Sequence, residues 1–102
     1  MIVGRVVGTV VATQKDEKLR SSKLLVVETV DPLTLAGKKT YVVAVDAVGA
    51  GTGEVVLCAA GSSARLTPAT EGRPVDTVIM AIVDEFDIDG GIVYRKSEAS
   101  GS

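Results

Sequence analysis

Three glycines in five positions, within Gly49-Ala50-Gly51-Thr52-Gly53-Glu54, constrain this chain more than any other stretch. Strand-like runs flank them, Tyr41–Val48 before and Val55–Ala60 after, and a second small-residue loop follows: Gly61-Ser62-Ser63-Ala64-Arg65. Glycine reaches positive φ without a side-chain penalty and lets another backbone approach closely. A short loop of this kind, held between two firm strands, suits a crowded place: a pore, a ligand or a symmetry axis.

The rest of the chain is punctuated in the same way. Ile2–Thr13 is predicted as a strand, with Val3, Val7 and Val11 on one face and Val6 and Val10 on the other. Gly4 and Gly8 share the parity of Val6 and Val10, and glycines inside a strand mark coiling or close backbone approach. Thr13–Ser22 is polar and charged, a loop. Lys23–Val30 is a second strand, with Leu25 and Val27 opposite Leu24 and Val26, ended by Asp31-Pro32 because proline cannot donate to a ladder. After a connection over Leu33–Lys39, Thr40–Val48 forms a third strand and Val55–Ala60 a fourth. Leu66–Gly72 is again a polar loop. Pro74 opens a short helical turn over Val75–Val78, Ile79–Phe86 returns to strand, and the turn residues Asp87–Gly91 lead into Ile92-Val93-Tyr94-Arg95 as a C-terminal hairpin.

Five or six short strands with at most one short helical turn make the fold mainly all-β. The expected architecture is a small closed β-barrel of the OB-like Greek-key kind. At 102 residues the chain builds one core and one domain. Residues 1–96 are expected to form the barrel, and 97–102 a flexible tail of small polar residues.

Composition excludes more than it assigns. Histidine is absent, which removes the commonest general base and the commonest metal ligand together. No catalytic, cofactor-binding or metal-binding residues are expected. One cysteine, Cys58, rules out an intrachain disulfide and fits a reducing cytosol. It reads as a small buried hydrophobe, since no adjacent cation lowers its pKa. Met1-Ile2-Val3 runs straight into Gly4-Arg5 without the basic-then-apolar pattern of a secretory signal, and no apolar run approaches the ~20 residues needed to cross a bilayer. A formal net charge of −2 and a pI near 5.0 argue against nucleic-acid and anionic-membrane partners.

Each chemistry-bearing motif fails on a named residue. A phosphate loop needs Gly-Lys-Ser/Thr after its glycines, or must open a helix. Here Glu54 follows and the chain returns to strand. Gly61-Ser62-Ser63-Ala64-Arg65 is not the Gly-x-Ser-x-Gly of a nucleophile elbow, and no histidine exists to serve it. Binding of single-stranded nucleic acid needs a basic groove and exposed aromatics, whereas Tyr41, Phe86 and Tyr94 are the only aromatic residues. Asp46, at the end of its strand beside the glycine loop, reads as an acceptor for loop amides. By elimination the two loops read as structural. Small residues let identical copies converge on a rotation axis, and Arg65 has a carboxylate on a neighbour as its natural partner.

Val45-Asp46-Ala47-Val48-Gly49-Ala50-Gly51-Thr52-Gly53-Glu54-Val55-Val56-Leu57, followed by Gly61–Arg65, resembles the signature of the bacterial microcompartment vertex proteins. These are pentameric shell proteins of the ethanolamine-utilisation and carboxysome type. Gly8-Thr9-Val10-Val11-Ala12-Thr13-Gln14-Lys15 and the stretch from Pro74-Val75-Asp76 to Ile82-Val83-Asp84 resemble the same family, so the likeness covers residues 1–96. One departure is Glu17–Ser22, where Ser21 or Ser22 stands in place of a glycine near the second strand.

The resemblance implies a non-enzymatic shell protein without cofactors. It implies a homopentamer in the bacterial cytoplasm that caps vertices of a polyhedral shell, with hexameric and trimeric shell proteins as neighbours. Carried over, the subunit interface and central axis involve Asp46, Gly49, Ala50, Gly51, Thr52, Gly53 and Glu54 together with Gly61, Ser62, Ser63, Ala64 and Arg65. Either loop is a candidate to line the axis. The alternative is an OB-like barrel binding single-stranded nucleic acid or another ligand, which predicts a monomer or dimer with salt-dependent oligonucleotide binding.

Overall fold

The computed structural model describes residues 1–12, 23–60 and 77–99. Five strands close a barrel: β1 (Ile2–Val10), β2 (Leu24–Val30), β3 (Gly37–Asp46), β4 (Val55–Ala60) and β5 (Thr77–Ile82). Their order around the barrel is β1-β2-β3-β5-β4, with β4 pairing back onto β1. All neighbours are antiparallel except β3 and β5, which run parallel through Val45–Val78 and Asp46–Ile79. This is the OB-like Greek-key order. Two further strands, β6 (Glu85–Ile88) and β7 (Gly91–Arg95), form a separate hairpin, and Lys96–Ala99 makes one helical turn, α1.

Cross-strand partners share a face, so the register sorts every strand into inner and outer residues. Val6, Leu25, Val27, Ala44, Val56, Cys58 and Ile79 meet inside the barrel with Ala50, and Ile2, Val42 and Ile82 pack at its margins. Each fully buried Val, Leu or Ile there contributes about 1.5–3 kcal/mol, which makes this interior the main source of stability. Leu25 and Val27 do lie opposite Leu24 and Val26. Outside, Val45, Ala59 and Val78 form a smaller buried cluster with Leu24 against it.

The predicted parity of β1 holds only as far as Val6. Val6 pairs with Val27 but Gly8 pairs with Val26, so Val7 is an extra residue at a β-bulge. A bulge moves every later residue to the opposite face. Gly8 and Val10 therefore lie outside, opposite Gly4 and Val6, and Val7 is exposed. Gly4 meets the expectation of close approach. A Cβ there would collide with a Val27 methyl and lie 2.9 Å from the Glu28 carbonyl oxygen.

Other boundaries shift. β1 ends at Val10, and β3 begins at Gly37 and ends at Asp46 rather than Val48. Thr77 and Val78 are strand, where a helical turn was predicted over 75–78; residues 75 and 76 lie outside the described residues. Cross-strand pairing with β4 outweighs the local turn preference there. The expected single strand 79–86 is two strands interrupted at Val83-Asp84, because β5 belongs to the barrel and β6 to the hairpin. Where a tail was expected from residue 97, the chain continues helical through Ala99. Residues 100–102 lie outside the described residues, as do the polar loops predicted at 13–22 and 66–72.

Candidate functional site

The glycine loop joins β3 to β4 at one end of the barrel and is held at nearly every backbone amide. Asp46 ends β3 half-buried, and its Oδ1 accepts from the amides of Val48 (3.0 Å), Gly49 (3.0 Å) and Ala50 (3.1 Å). That is the role predicted for it. The Asp46 amide in turn donates to the Lys23 carbonyl at 2.9 Å, and the Lys23 ammonium donates to the Ala50 carbonyl at 3.2 Å. Gly53 N–H donates to Val6 O at 2.8 Å and Val6 N–H to Glu54 O at 2.9 Å. The loop thus joins β1 just before its bulge.

Glu54 finishes the arrangement. Its Oε1 accepts from the Gly51 amide at 2.6 Å, and its Oε2 accepts from the Lys96 ammonium, also at 2.6 Å. The Lys96 contact is the main reason the Glu54 carboxyl lies below its ordinary pKa, with the Gly51 amide adding to it. The hydrogen bond to Glu54 raises Lys96 in return. Lys96 N–H also donates to Asp84 O at 2.7 Å, and Val83 N–H to Val55 O at 2.8 Å. The hairpin is therefore clamped to the barrel at its base, beside the loop.

The three glycines have different reasons. Gly49 and Gly53 adopt φ of 79° and 91°, where an L side chain is strained. Gly51 does not, and a Cβ on it would sit 3.5 Å from Glu54 Oε1, an ordinary contact. Ala50 is fully buried in the barrel interior, so its side chain belongs to its own subunit's core. Gly49, Thr52 and Gly53 are exposed.

This geometry leaves little for an anion to bind. Among Val48 to Glu54, Thr52 alone carries an amide without an acceptor in the described chain, and two carboxylates hold most of the others. Cys58 is buried in the core, and burial pushes its thiol up to about 11, so it is inert as a nucleophile. The second candidate loop, Gly61, Ser62, Ser63, Ala64 and Arg65, lies outside the described residues.

Sequence reasoning missed Lys23 and Lys96. Neither has a local signal, since Lys96 lies 42 positions from its partner Glu54 and Lys23 lies 27 from Ala50. The bulge at Val7 was equally unmarked, because valine fits both a regular and a bulged strand.

A family model described as "Ethanolamine utilisation protein EutN/carboxysome" matches residues 1–84. The carboxysome shell vertex protein CcmL of Nostoc sp. is 42% identical over 98 residues, which cover 96% of this chain and 97% of that protein. The solved structure of CcmL from Gloeobacter violaceus matches with a TM-score of 0.90 at 40% identity, covering 95% of this chain and 99% of that one. GrpN, a pentameric microcompartment shell protein from Rhodospirillum rubrum, matches with a TM-score of 0.78 at 41% identity, covering 86% and 99%. Relatives this similar from end to end, on the same closed barrel, show that the chain belongs to the EutN/CcmL family of shell vertex proteins.

Proposed function

We propose that this chain assembles into a homopentamer that caps the vertices of a polyhedral bacterial microcompartment. It would close a shell whose faces are built from hexameric and trimeric shell proteins. The protein acts by assembly rather than by turnover, in the cytoplasm, as part of the shell. One shell-protein domain over residues 1–96 carries this role, and residues 97–102 follow it.

The observation that carries the reading is whole-length similarity to named vertex proteins, including a pentameric one. The glycine loop supports it. A loop held by Asp46, Lys23, Val6 and Glu54 is a rigid presenting edge, and rigid small surfaces are what copies converging on an axis require. Gly51 needs no positive φ, and among the described residues nothing of its own chain crowds a Cβ there, which supports a neighbour's approach as the reason for its lack of a side chain. The Gly61–Arg65 loop belongs to the same interface in this reading, with Arg65 and Glu54 as its polar contacts.

Native mass measurement at micromolar concentration tests the proposal. The expected species is five subunits, and a clean monomer overturns it. Gly51→Ala, which the subunit accommodates, should keep its fold by circular dichroism. Gly51→Val should weaken assembly, and an undisturbed Gly51→Val pentamer would move the tight contact away from this loop.

A further inference from the structure

We propose that the subunits of the ring meet across the glycine loop, the Val7 flank of one packing on the Val48–Met80 flank of the next. This rests on the pentameric reading above. Two β-bulges build these flanks. Val7 is the extra residue between Val6 and Gly8. In β5, Ala81 pairs with Leu57 but Ile79 with Cys58, which leaves Met80 as the extra residue of a second bulge. A bulge re-aims a side chain that a regular strand would place elsewhere. Both bulges leave an apolar side chain in solvent: Val7 is 40% exposed and Met80 36%.

The two bulges lie at opposite ends of the loop. Val7 follows Val6, whose carbonyl accepts from Gly53 N–H and whose N–H donates to Glu54 O. Met80 follows Ile79, the parallel partner of Asp46, and the Asp46 carboxylate holds the first amides of the loop. Val48, 39% exposed, stands in the loop at that same end. One subunit therefore carries two different apolar patches, joined by a loop whose Gly49, Thr52 and Gly53 are exposed. Contact between two different patches of one chain is heterologous, and such contacts generate rings when the rotation closes.

The chemistry of this surface selects its occupant. None of residues 7–12 or 47–53 is charged, in a chain of which 24% is charged. Asp46 and Glu54, which bound the loop, accept from its own amides, and the Lys23 ammonium donates to the Ala50 carbonyl. Absence of charge together with exposed apolar side chains marks the centre of a protein interface. It gives no grip to a charged ligand. The pentameric reading supplies the partner: another copy of this chain, presenting the opposite flank.

Substitutions in the full-length chain test this. Val7→Asp and Met80→Asp put a charge on each flank, while Val7→Thr and Met80→Gln change polarity at nearly constant shape. Circular dichroism checks the fold of each, and where an Asp variant fails to fold the milder one decides. Each Asp variant should weaken pentamer association at least about tenfold and each milder one about threefold, read as the dissociation midpoint on dilution. Leu33→Asp, at an exposed leucine on the turn between β2 and β3, should shift that midpoint less than about twofold. Val7→Cys combined with Met80→Cys should give a cross-linked ladder up to the pentamer with a short bismaleimide, and neither single variant should. Cys58 is buried and does not compete. A pentamer indifferent to the Val7 and Met80 variants, a Leu33→Asp loss as large as theirs, or cross-linking by a single variant overturns this contact and leaves the pentamer standing. A monomeric wild type overturns both.

Discussion

Glu54 and Lys96 stand 42 positions apart, yet the Lys96 ammonium donates to Glu54 Oε2 at 2.6 Å while Glu54 Oε1 holds the Gly51 amide. One carboxylate therefore ties the glycine loop to the base of the C-terminal hairpin. Both side chains are partly exposed (23% and 40%), so the pair positions these elements more than it stabilises the fold.

Lys96→Met should loosen the hairpin and spare the barrel. Amide hydrogen exchange in Glu85–Arg95 is expected to accelerate, with the exchange of Leu25, Val27 and Val56 unchanged. Uniform acceleration across both would show that Lys96 supports the whole fold instead.

The clasp has a defined pH window. The folded-state pKa of Glu54 is depressed below its ordinary 4.5, so its stabilisation is present above that value and is lost as pH falls through the folded value. Lys96 is raised above its ordinary 10.5, so its share is complete below 10.5 and is lost as pH rises through the folded value. Carboxyl carbon NMR should place the Glu54 midpoint below 4.5, and Lys96→Met should move it upward. A wild-type midpoint at or above 4.5 contradicts the geometry.

Asp46→Ala removes the acceptor of three loop amides at once. A loss of about 2 kcal/mol in urea unfolding is expected, given the strength of hydrogen bonds to charged groups. Asp46→Asn keeps a carbonyl acceptor and should lose less. Equal losses would mean that the charge, rather than the acceptor, holds the loop.

Gly4 and Gly8 belong to one strand but should respond unequally to alanine. Gly4→Ala forces a Cβ against Val27 and the Glu28 carbonyl, with an expected cost of about 1–3 kcal/mol. Gly8→Ala meets only Val26 Cβ at 3.9 Å and should change subunit stability by less than about 0.5 kcal/mol. Denaturation of the two variants side by side decides whether the bulge at Val7 is where the register places it.

Much of this protein was legible in the residues alone, because its signals are local. The Val-rich runs between turn residues marked β2 and β4, the turn residues Asp87–Gly91 marked the hairpin, the position of Asp46 beside the glycine loop marked it as an amide acceptor, and the motif from Val45 to Leu57 pointed to the vertex-protein family. What the chain alone left open depended on contacts distant in sequence. The bulge at Val7 appears only when β1 is laid against β2, since an inserted valine is chemically the same as a paired one. Thr77 and Val78 are strand because β4 offers them a ladder. Ala50 is small because it fills the barrel's own interior, and Gly51 is held by a carboxylate whose second oxygen belongs to Lys96. Local chemistry chose the elements, and closure of the barrel decided which faces and which distant side chains came to share the glycine loop.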